Sequence, residues 1–149
     1  MQAAEWLRAH RHVDVGGSDT CRITVSVTHA DDDETEKTLV DALRALVENA
    51  HTIERRPPVH LPDPTALELE QAVLPRDAFF ATVEDVPADR AAGRIAAEMI
   101  SPYPPGVPVV APGEVITAPV LDYLRSGVDH GFLIPDAADP SLATLRVVV

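Results

Sequence analysis

The chain has 149 residues, enough for one domain of ordinary size or two small subdomains. Hydrophobic residues make up 46%, which rules out a disordered chain, but aromatics only 4%, so a core must be built from Val, Leu, Ile and Ala. A formal charge of −12 repels nucleic-acid backbones and anionic lipid surfaces, which argues against both as partners.

No apolar run approaches the ~20 residues that span a bilayer, so no membrane role is expected. The opening Met1-Gln2-Ala3-Ala4-Glu5-Trp6 lacks a basic start followed by an apolar stretch, as a signal peptide would have. The one cysteine, Cys21, excludes an internal disulfide and fits a reducing, cytoplasmic setting.

Taken in chain order, Ala3, Leu7 and His10 fall at helical spacing and predict a short helix over 3–10. Gly16-Gly17-Ser18-Asp19 is a turn signal, and Cys21, Ile23, Val25 and Val27 then alternate with polar residues. That alternation predicts a strand with one buried face, and a hairpin over 12–29. Asp31-Asp32-Asp33-Glu34 suits the positive end of a helix, and Asp33 with Glu36 has capping-box spacing. Leu39, Leu43, Leu46, Val47 and Ala50 form the stripe of a helix over 34–50.

Pro57-Pro58 and Leu61-Pro62-Asp63-Pro64 cannot sit in a helix interior or a central strand. They predict a linker over 57–74, with a boundary near residue 60. Short helical turns are expected at 65–71 and 75–78, a further one at 89–93, and extended chain over 95–100. Prolines 102, 104, 105 and 108 predict an extended, polyproline-like path. Pro112-Gly113 fits the centre of a type II turn, where glycine supplies the positive φ. Thr117 is placed as a helix N-cap with Pro119 in the first turn; Val120, Leu121 and Leu124 form the apolar face, and Gly127 the stop. A final strand is expected over 142–149. The class is α/β or α+β: small antiparallel or mixed sheets with flanking helices, in two subdomains.

Familiar catalytic signatures are missing. There is no phosphate-binding glycine loop, no Cys-x-x-Cys, and no histidine pair flanking a glutamate. His10 and His12 are two residues apart and would point to different faces of a helix, so they read as surface histidines. Ser126 beside Asp129-His130 invites a triad, but no Gly-x-Ser-x-Gly turn accompanies it. Cys21, on the apolar side of the expected strand, reads as a buried inert thiol.

The second half carries a stronger pattern. Pro75-Arg76-Asp77-Ala78-Phe79-Phe80, Gly93-Arg94-Ile95-Ala96-Ala97-Glu98, Pro102-Tyr103-Pro104-Pro105-Gly106-Val107-Pro108 and Pro112-Gly113-Glu114 follow one another in order. In order and separation they resemble the C-terminal domain of the Orn/Lys/Arg decarboxylase family. The resemblance implies that 75–149 is that C-terminal domain, behind the 57–74 linker. It also implies that 1–56 is the small α/β subdomain preceding it in aminotransferase-like enzymes. It further implies a parent enzyme that uses pyridoxal phosphate as electron sink to decarboxylate ornithine, lysine or arginine.

In the family the Schiff-base lysine lies in a Ser-x-His-Lys motif of the large domain. Here the only lysine is Lys37, between Thr35-Glu36 and Thr38 on an expected exposed helix, and it matches nothing in that motif. No catalytic residue, no cofactor-binding residue and no metal ligand is therefore assigned to this chain. The resemblance implies that its partner is the remainder of the decarboxylase, with the large cofactor domain, in a homo-oligomer. It implies that the retained part covers the active-site entrance and joins subunit contacts, with Tyr103, Gly106 and Glu114 as candidates near the entrance. Of these, Glu114 alone suits a cationic substrate tail. The plainer reading makes Pro-Tyr-Pro-Pro-Gly a rigid connector and Glu114 a turn cap. A reading from another class is a stand-alone interaction or oligomerisation module without enzymatic activity.

Overall fold

The computed structural model describes residues 2–149. Among the described residues the fold is α+β: four α-helices and two small antiparallel sheets. The chain divides into two compact units, 1–55 and 56–149. No described helix is long and apolar enough to cross a membrane.

In the first unit, α1 (Gln2–Arg11) packs on α2 (Asp33–Asn49). Leu7 is fully buried, and the inner face of α2 centres on Ala42 and Ala45. The expected stripe is thus rotated: Leu39, Leu43 and Leu46 are half-buried, while Val47 is 75% exposed. Helix α2 starts one residue earlier than the acidic spacing suggested. Asp32, not Asp33, is the cap. Its carboxylate accepts the amides of Glu34 and Thr35, and the Thr35 hydroxyl answers the Asp32 amide at 2.8 Å. Those bonds hold the Asp32 carboxyl below its ordinary value of 3.8, the Thr35 amide contributing most.

The expected 12–29 hairpin contracts to β1 (Gly17–Ser18) and β2 (Ile23–Thr24), paired antiparallel. Val25 and Val27 are 37% and 78% exposed, and Cys21 is exposed in the turn rather than buried. Alternation holds a strand only where one of its faces is covered, and this face is not.

The second unit holds the larger core: Ile100, Val110, Ile116, Val120, Leu124, Ile134, Leu145 and Val147 are at most 2% exposed. Its lattice is built on β3 (Val83–Pro87) and β4 (Thr144–Val148), antiparallel with Val83 opposite Val148 and Pro87 opposite Thr144. On the other side of β4 run residues 95–97, through Ala97 N–H to Arg146 O at 3.0 Å and Val148 N–H to Ile95 O at 2.9 Å. Residues 113–116 continue the row through single bridges, Ile95 to Val115, and then Gln71 to Glu114. Most of these segments are too short and bent to be strands, which is why only β3 and β4 read as such.

The proline-rich 57–74 stretch folds with this second unit. A 3-10 turn at Pro64–Leu67 is capped by Asp63, whose carboxylate takes the Thr65 amide at 3.0 Å. The His60 amide donates to Ser126 Oγ at 2.8 Å, and His130 Nδ1 meets Pro57 O at 2.6 Å. Ser126 in turn donates to Tyr123 O at 2.9 Å. Ser126 and His130 therefore fasten 57–60 to α4 (Ala118–His130) and form no triad.

Helix α4 begins at Thr117, as expected, with Pro119 in its first turn, although the Thr117 side chain makes no capping bond. It runs past Gly127 and stops at Gly131, whose φ of 101° is the left-handed cap. Gly127 is kept small for a different reason: a Cβ there would lie 2.5 Å from Phe132. The helical turn expected at 89–93 is a single 3-10 turn, Ala88–Arg90. α3 is the short helix Pro75–Phe79.

Candidate functional site

The proline-rich segment does not take an extended path. The Tyr103–Pro104 and Pro104–Pro105 peptides are cis, and the Gly106 amide bonds Pro102 O at 2.9 Å, so the chain turns back on itself. Proline fixes φ but leaves the isomer of its own peptide open, so composition could not show this. Gly106 has φ 86°, and a Cβ there would lie 3.4 Å from the Tyr103 ring.

Tyr103 and Gly106 are thus neighbours. The backbone of Tyr103 is fixed by Leu133, donating to its carbonyl at 2.8 Å and accepting its amide at 3.1 Å. Its side chain is 54% exposed and free to meet another molecule.

Glu114 has separate surroundings. Its carboxylate accepts the Ala111 amide at 2.8 Å, and its own amide returns to Ala111 O at 3.2 Å. Its carbonyl accepts the Ala96 amide at 2.8 Å. Glu114 is the closing residue of the Pro112-Gly113 turn, and the structure brings it into no bond with Tyr103 or Gly106. The turn has the expected positive φ at Gly113, 92°. Around it, Gly113 O accepts the Ala72 amide at 2.9 Å, and Gln71 Nε2 donates to Val73 O at 2.6 Å and Pro112 O at 3.2 Å.

The sequence reading passed over Glu98. It is 7% exposed, in the otherwise apolar run 95–100. Its two oxygens accept the backbone amides of Arg146 and Ala138, each at 2.6 Å. Each such bond to a charged acceptor contributes about 1.5–3 kcal/mol. One side chain thereby fixes β4 and the 136–138 loop to the 95–100 segment. The signal was present: a lone carboxylate inside an apolar run needs buried donors.

The described residues contain no group of three or more His, Cys, Asp or Glu side chains able to hold a metal. Lys37 is exposed on α2. No other side-chain amine exists to hold an aldehyde cofactor, so the residues of this chain do not fit pyridoxal phosphate.

Comparison with known proteins places the pattern. A family model described as Orn/Lys/Arg decarboxylase, C-terminal domain, matches residues 64–135. An arginine decarboxylase of Bacillus anthracis is 37% identical over 150 residues, covering 99% of this chain. One from Halalkalibacterium halodurans is 39% identical over 98% of the chain.

The chain belongs to the Orn/Lys/Arg decarboxylase family.

It corresponds to the C-terminal region of that family, and spans 30% of the length of those two arginine decarboxylases. The constitutive lysine decarboxylase of E. coli has the same fold over 99% of this chain and 28% of its own, with a TM-score of 0.68 at 20% identity. The turn-back at 102–106, the Pro112–Glu114 turn and Glu98 itself lie within the part of this decarboxylase-family chain that the family model covers, whereas the two partners of Glu98, Ala138 and Arg146, lie beyond it.

Proposed function

We propose that this chain serves a decarboxylase of basic amino acids as a covering and subunit-contact region, and does not itself carry out the chemistry. The observation that supports this most directly is the whole-length match to arginine decarboxylases more than three times as long. The single exposed lysine agrees with it: the cofactor-holding amine and the carboxylate facing the pyridine nitrogen belong to other residues. In that enzyme pyridoxal phosphate supplies the sink for the electrons left by carbon dioxide. The exposed Tyr103 ring and the Gly106 turn form the entrance rim, and Glu114 adds negative charge for a cationic substrate tail. The complete protein works as a cytoplasmic homo-oligomer.

The test uses the complete enzyme and Glu114→Gln. Glutamine keeps an oxygen for the Ala111 amide, so the turn survives while the charge goes. KM for the basic amino acid is expected to rise by roughly tenfold, as for loss of one charge-assisted contact, with kcat little changed. Unchanged KM would reduce Glu114 to its turn. Release of carbon dioxide from arginine, lysine or ornithine by the 149-residue chain with pyridoxal phosphate alone would overturn the whole reading.

A further inference from the structure

The alternating segment that follows β2 has no part in the roles described so far. The Gly16 amide donates to Thr24 O at 2.9 Å, so the main chain of Thr24 is turned toward β1. Successive residues of an extended chain present their N–H and C=O groups to opposite sides, so those of Val25 and Val27 fall on the side away from β1. Among the described residues, neither valine makes a backbone hydrogen bond. The segment is nonetheless held in place: just beyond it, the Thr28 amide and hydroxyl donate to the Asp31 carboxylate at 2.6 and 3.0 Å.

Val25 and Val27 border a groove of about 640 Å³ that the half-buried Val13 and Leu39 also line. Unpaired main-chain groups beside an apolar groove are what strand addition uses: main-chain bonds supply affinity, and room for alternate side chains supplies selectivity. Among the described residues, five carboxylates line the groove and no basic side chain does. Asp14 is paired with Arg8, Asp31 is taken by Thr28, and Asp32 caps α2. Asp33 and Glu36 are exposed and carry no side-chain bond or ion pair among the described residues. Their charge attracts a basic partner and repels an acidic one. A second copy of this chain, with a net charge of −12 and the same acidic groove, is therefore disfavoured as the occupant.

We propose that residues 25–27 dock an extended segment of a partner polypeptide, with β-branched residues at alternate positions and lysine or arginine at its ends. Its main chain pairs with Val25 and Val27 and adds a third strand to β1 and β2. Its β-branched side chains enter the groove against Val13 and Leu39, and its basic ends reach Asp33 and Glu36. The face that the hairpin leaves uncovered is thereby closed from outside. The inference stands on the geometry of 1–55 and does not depend on the decarboxylase reading.

The test titrates the labelled 149-residue chain with the doubly capped hexapeptide Lys-Val-Thr-Val-Thr-Lys and follows backbone amide shifts and hydrogen exchange. Saturable binding is expected, with exchange slowed at Val25 and Val27 and not at Ser26. The same peptide with glutamate in place of lysine should bind roughly tenfold more weakly. Its fully N-methylated form keeps the side chains, loses every donor and should not bind. In the chain, Val25→Pro removes an outward N–H and should weaken binding by roughly tenfold. Glu36→Lys, at an exposed position of α2, should do the same by reversing a charge at the groove, and it decides the matter if Val25→Pro disturbs the hairpin. The proposal is overturned by an absence of binding, by unchanged exchange at Val25 and Val27, by equal binding of the glutamate or N-methylated peptide, or by unchanged affinity in Glu36→Lys.

Discussion

At Gly113 two independent constraints coincide. Its φ is 92°, and a Cβ would fall 2.2 Å from Val73 O and 2.4 Å from Gln71 Nε2. Both neighbours belong to the segment that 112–115 ties down, so neither can withdraw without breaking bonds to Gly113 and Pro112. Gly113→Ala should cost about 2–4 kcal/mol, combining left-handed strain with displaced backbone. Gly93 is the control. It shares the positive φ, 82°, but a Cβ there meets nothing within 4 Å. Gly93→Ala should therefore cost only about 1–2 kcal/mol. Urea melts of the two variants check the difference, and equal losses would show that the Val73 contact relaxes freely. The positive φ of Gly113 was legible, because Pro-Gly has one favoured turn geometry. The collision was not, because Val73 lies 40 positions away in a stretch whose prolines suggested only a linker.

Among the elements, α4 shows what periodicity can and cannot supply. Its N-terminus and its apolar face of Val120, Leu121 and Leu124 were readable from spacing. Its end was not, because both Gly127 and Gly131 offer a stop and local pattern cannot choose between them. Packing chooses: Gly127 lies in the helix against Phe132, and Gly131 takes the left-handed cap. This gives a prediction opposite in sign to helix propensity. Gly127→Ala would gain about 1 kcal/mol as an isolated helix residue. In this chain it should instead lower stability, since the new Cβ would lie 2.5 Å from a buried ring. Pairing it with Phe132→Leu should recover part of the loss. A double-mutant cycle in chemical denaturation measures that coupling, and additive losses would sink the explanation. The β1–β2 pair marks the opposite failure, a regular pattern with no covering layer to make it a strand.

The whole molecule distributes its core unevenly. Of the buried hydrophobic residues, Leu7, Ala42 and Ala45 belong to 1–55 and the rest to 56–149. Two of those three are alanines, which contribute little apolar area. Amides of 1–55 should therefore exchange with solvent at least roughly tenfold faster than those of α4 and β4. Hydrogen–deuterium exchange with peptide-level mass spectrometry reads this directly, and equal protection would mean that 1–55 is held by more than its own packing. Composition foretold a core of aliphatic residues and left one domain or two small subdomains open. It could not say that 57–74 folds with the second part, because the anchoring bonds come from Ser126, His130 and Gly113, far along the sequence.

The ladder between β3 and β4 has one more consequence. The bonds from Ala88 to Ala143 and from Val149 to Thr82 set the alternation, so the amides of Glu84 and Val86 face β4. Val83, Asp85 and Pro87 then point their main-chain groups away from it. Proline stands at an outward position, where the ladder loses nothing by its missing N–H, and an incoming strand would find no donor there. Together with the charge of the neighbouring Glu84 and Asp85, this blunts a template that would otherwise invite sheet growth from molecule to molecule. The same short strand that completes the fold is thereby kept from seeding aggregates.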